Sequence, residues 1–80
     1  MKARQLIGGA SYPPEVLATV FEAFDKAWGE IESQFVGEGP RENGRLTLAS
    51  IILMLARDHV GEVDELKRTA IKLMARTMRT

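Results

Sequence analysis

Apolar residues recur along this chain at alternating steps of three and four, the period of one face of an α-helix. The clearest series is Leu17, Phe21, Phe24, Trp28, Ile31 and Phe35, widened by Val16, Val20 and Ala27. The opposite positions hold Glu15, Thr19, Glu22, Lys26 and Ser33. Tyr12-Pro13-Pro14-Glu15 reads as the start, because proline suits a first helical position whose N–H has no partner and Glu15 favours the dipole. Gly37 can take a left-handed cap conformation, so this helix is predicted over 14–36. Gly29 falls on its exposed side for no reason visible in the sequence.

The next pattern is different. Residues 46–56 (LTLASIILMLA) carry no charge and would be apolar nearly all the way round a helix. A second helix is predicted over 44–59, after a turn-rich loop at 37–44 (GEGPRENG). Gly61 would terminate it, with Arg57 and His59 at the negative end of its dipole. A third helix is predicted over 64–78, capped by Asp64. Leu66, Ala70, Leu73 and Thr77 form one apolar stripe there, with Ile71, Met74 and Met78 beside it. Arg68, Lys72, Arg76 and Arg79 project from the other side. The fold class expected is all-α: an antiparallel three-helix bundle in a single domain at 12–80, preceded by a mobile tail at 1–11 containing Gly8-Gly9.

Two neighbours can cover two sides of the middle helix, and it has three apolar sides. The third would be closed by the rest of this short chain or by a second copy across a two-fold axis. The second copy is favoured, because an 80-residue chain has little other material and dimers are the commonest oligomers. Leu48, Ile51, Ile52 and Leu55 are the candidate core and dimer residues of that helix.

With no cysteine, disulfides and thiolate metal sites are excluded, and stability must come from apolar burial. The apolar run of eleven residues is too short for a membrane span, which needs about 20. Net charge is zero, but its distribution is uneven. Residues 15–38 hold six acids and one base, whereas 67–80 hold five bases and no acid, so the first and third helices are expected side by side. The stripe Arg68, Lys72, Arg76 and Arg79 is the candidate partner surface. Nucleic acid is disfavoured there: the chain is neutral, no Tyr or Phe interleaves with the bases, and Asp64 and Glu65 would lead a recognition helix into phosphates.

Enzymatic chemistry finds little to work with. His59 is the only histidine, and its neighbour Asp58 would point about 100° away on a helix. No nucleophile elbow, Glu-x-x-His motif, calcium loop or phosphate loop occurs, and no cofactor is implied. The aromatic stripe through Trp28 reads as core, with a ligand cleft behind Trp28 as the alternative.

Tyr12-Pro13-Pro14, Phe24-Asp25-Lys26-Ala27-Trp28 and Arg45-Leu46-Thr47-Leu48-Ala49 with Ile52-Leu53 together resemble a recurring type of short, uncharacterised bacterial all-helical protein. That resemblance implies a bacterial cytoplasmic protein and carries over no activity and no functional residue. The expectation is a non-enzymatic, homodimeric interaction module meeting a protein partner through its basic face. The alternatives are a small nucleic-acid-binding or regulatory protein using the same face, and a helical small-ligand binder.

Overall fold

The computed structural model describes residues 2–58 and 62–78, with side chains placed over 5–57 and 62–77. Every regular element described is helical: α1 (Lys2–Gly8), α2 (Pro14–Ile31), a 3₁₀ turn (Glu32–Gln34), α3 (Glu38–Asp58) and α4 (Val63–Met78). Pro14 stands at the first position of α2, as its missing N–H favours. Val20, Ala23, Phe24, Ala27 and Ile31 of α2 are buried, whereas Leu17, Phe21 and Trp28 of the expected stripe are half-buried, so the inward face is turned toward the Val20–Ala27 flank of that stripe. The buried residues meet Leu48, Ala49, Ile52 and Ala56 of α3 and Leu66, Ala70 and Met74 of α4 in one core.

The residues expected as a mobile tail form α1, and Ile7 is fully buried in that core. Gly8 and Gly9 end this helix instead of loosening it. The Gly9 N–H donates to the Gln5 carbonyl at 2.9 Å and the Ala10 N–H to the Ile7 carbonyl at 3.1 Å. Within the described residues there are therefore four helices, not three preceded by a tail.

Two boundaries also differ from the sequence pattern. The first long helix stops at Ile31, not at 36. After the 3₁₀ turn Phe35 is extended, and the change of direction brings its ring to 5.3 Å from that of Trp28. Gly37 has the positive φ, 96°, but it stands before α3, not at the end of α2. The second long helix begins at Glu38, so most of the expected loop at 37–44 is helical. Pro40 is tolerated in the first turn, where N–H groups lack intrahelical partners, and Glu38 favours the dipole. At the start of α4, the Leu66 N–H donates to the Glu62 carbonyl at 3.0 Å. Asp64 therefore lies inside the first turn and not at the cap. The expected features at His59 and Gly61 lie outside the described residues.

Helix α2 runs antiparallel to α3. Glu32 at the end of α2 pairs with Arg41 at the start of α3 (3.8 Å), and the Tyr12 hydroxyl before α2 donates to the Leu53 carbonyl late in α3 (2.9 Å). A strictly alternating bundle would then start α4 beside the start of α2. Instead Lys67, in the second turn of α4, pairs with Glu30 near the end of α2 at 2.6 Å. The acidic and basic helices do pack directly, but α4 does not follow the simple up-and-down order.

Candidate interaction surface

Burial of Leu66, Ala70 and Met74 fixes the rotation of α4 and turns Arg68, Lys72 and Arg76 outward, all three exposed. Arg79, the fourth member of the expected stripe, lies outside the described residues. Lys67 points instead toward α2, where Glu30 takes it. Arg68, Lys72 and Arg76 have no ion-pair partner among the described residues. Between these cations α4 presents an open depression lined by Thr69, Lys72, Leu73, Ala75 and Arg76. An unpaired cationic face around short and apolar side chains can hold an acidic macromolecular surface by charge and by contact.

Helix α3 supplies the second surface. Leu48 and Ile52 are fully buried within their own chain, whereas Ile51 and Leu55 are half-buried. Only the latter two can meet anything outside the chain. Beside them Met54 is 52% exposed, and Leu55 runs into a small hollow with Glu65, Leu66 and Thr69 of α4. One chain thus covers two sides of α3 and leaves a strip of the third, centred on Met54.

The surroundings of Trp28 are filled by protein. Trp28 is half-buried, with Phe35 against its ring and the guanidinium groups of Arg41 and Arg45 over it at 6.0 and 5.6 Å. Each cation is also paired, Arg41 with Glu32 at 3.8 Å and Arg45 with Glu42 at 3.0 Å. This cluster ties the end of α2 to the start of α3, each cation–ring contact contributing about 0.5–1 kcal/mol. It also explains Gly44, which is buried inside α3: a Cβ there would stand 2.9 Å from the Phe35 ring. The sequence reading missed Arg41 and Arg45. Their four-residue spacing places both on one helical face and is the available signal, but the pattern puts Arg41 in the loop at 37–44 and Arg45 in the helix at 44–59, which separates them.

Among the described residues no three His, Cys, Asp or Glu side chains converge as they would to hold a metal ion. Nor is any helix there long and apolar enough to cross a membrane. Compared with family models, with curated proteins and with solved structures, the chain matches none of them.

Proposed function

We propose that the protein is a non-enzymatic helical interaction module that works as a homodimer, with a second copy covering the outer strip of α3 and the basic face of α4 left for a macromolecular partner. The incomplete cover of α3 carries this reading: Ile51 and Leu55 are half-buried, and Met54 is 52% exposed. Residues 46–56 carry no charge, so the centre of the strip can meet a second copy by apolar contact, with Arg57 and Glu65 at its margin. A two-fold contact of this kind is self-complementary and closed. The absence of cysteine and the resemblance to short bacterial helical proteins support a bacterial cytoplasmic setting.

Light scattering at micromolar concentration tests the dimer. In about 1 M salt, which screens contacts between exposed charges, the wild type is expected at the mass of two chains, and Met54→Glu at the mass of one, with unchanged helical circular dichroism. A wild-type mass of one chain rejects the dimer. For the basic face, wild type and a Lys72→Glu, Arg76→Glu double variant are compared as baits in a source lysate. Partners retained after reversal exclude this face, and salt-sensitive binding of duplex DNA or RNA by the wild type alone would assign it to nucleic acid.

A further inference from the structure

Two outward seams of this molecule are complementary. On α2, Glu15, Ala18, Glu22, Asp25 and Gly29 follow one another at steps of three and four, and all are exposed. Nothing lies within 4 Å of the place a Cβ would occupy on Gly29. On α4, Arg68, Lys72 and Ala75 follow at steps of four and three, with Arg76 alongside, and these too are exposed. Both seams have the spacing by which one helix lies along another, and both combine charged residues with small ones that allow close approach.

Within one chain the two seams cannot meet. Helices α2 and α4 bury Val20, Ala23 and Ala27 and Ala70 and Met74, respectively, in the shared core, so the seams look outward. Lys67, at the edge of α4, reaches across to Glu30 at 2.6 Å. Arg68, Lys72 and Arg76 have no ionic partner among the described residues. Glu22 is held by Lys26 at 3.4 Å, with its side chain 58% exposed, and is open to a second cation. Zero net charge means that no long-range repulsion opposes contact between copies.

From this placement we propose that the basic seam of α4 docks on the acidic seam of α2 of another copy. The proposal rests on the reading of the basic face as a contact surface and names its partner, but it does not depend on the α3 dimer. The contact joins two different surfaces, so it propagates or closes into a ring, and assembly grows with concentration. Seating α4 on α2 also gives exposed Gly29 and Ala18 a role: larger residues there would hold the two helices apart.

Sedimentation velocity of the purified full chain tests this across about 0.01–1 M salt, over which the Debye length falls from about 30 to about 3 Å. The average mass of the wild type is expected to fall as salt rises. Lys72→Glu with Arg76→Glu, and separately Glu15→Lys with Glu22→Lys, are each expected to weaken self-association about tenfold, as two lost exposed pairs imply. The quadruple variant carrying all four substitutions keeps zero net charge, exchanges the signs of the seams and is expected to regain association. Circular dichroism melts check that each variant folds. Salt-independent mass, or a quadruple variant that does not recover, overturns the α2 partner; the lysate comparison reads separately whether the basic face meets any other partner. In a Met54→Glu background the salt-dependent association is expected to persist, and its loss there would overturn the independence claimed from α3.

Discussion

Replacing Phe24 by alanine is expected to lower stability by about 3–5 kcal/mol, the range for a buried aromatic truncated in a core that cannot fully collapse. Phe24 is 2% exposed and stands in the one core shared by all four helices. A domain of this length has a total stability of about 4–12 kcal/mol, so the variant would lose much or all of it. Chemical denaturation followed by circular dichroism reads the effect directly. Trp28→Ala, measured the same way, is expected to be the milder change. Its ring is half-buried at the edge of the core. It gives up the Phe35 contact, worth about 0.5–1.5 kcal/mol, and two cation contacts of about 0.5–1 kcal/mol each. In the sequence Trp28 and Phe24 occupy the same stripe and look equivalent. If Trp28→Ala proved the more damaging, the junction of α2 with α3 would hold the fold together more than the central core does.

The contrast between those two residues shows where sequence pattern stops being informative. Periodicity reports roughly which face of a helix turns inward: on α2 it marks the buried side but centres it on the half-buried Leu17, Phe21 and Trp28, and on α4 it finds Leu66, Ala70 and Met74 but also includes Thr77, which is exposed. The exposed positions of Arg68, Lys72 and Arg76 follow from the edge of the α4 stripe. Helix α3 has no such edge. When residues are apolar all round, the pattern carries no phase, so Leu48 and Ile52 could not be separated from Ile51 and Leu55. The start of α3 failed for another reason. Gly39, Pro40 and Gly44 locally favour a loop. Contacts distant in sequence reverse that preference: Arg41 and Arg45 over Trp28, and the Phe35 ring in the space a side chain at Gly44 would need. The course of α4 was equally hidden, because a helix period says nothing about which end of a neighbour it meets. The pairing of Lys67 with Glu30 could be anticipated as opposite charge but not as a register.

A second large effect is expected from Ile7→Ala, and it tests whether α1 belongs to the folding unit. A helix of seven residues has no stability alone, since nucleation outweighs the few hydrogen bonds that it can form. Helix α1 must therefore be held by packing, and Ile7 is its fully buried residue among those whose side chains are described. Truncating a buried isoleucine to alanine costs about 2–5 kcal/mol where the surroundings do not close over the gap. The junction to α2 also restrains α1: Gly9 and Ala10 cap it through their N–H groups, and the Tyr12 hydroxyl is bonded to the Leu53 carbonyl of α3. These ties leave α1 little freedom to shift and fill the space, so the larger part of the cost should remain. The denaturation midpoint should fall in a single cooperative transition, because the lost contacts lie in the core shared with α2, α3 and α4. A midpoint that does not move would mean that α1 docks without contributing, and that α2, α3 and α4 alone form the cooperative unit. A fall accompanied by a separate early transition would mean that α1 detaches first, leaving an apolar site on the core where Ile7 had been.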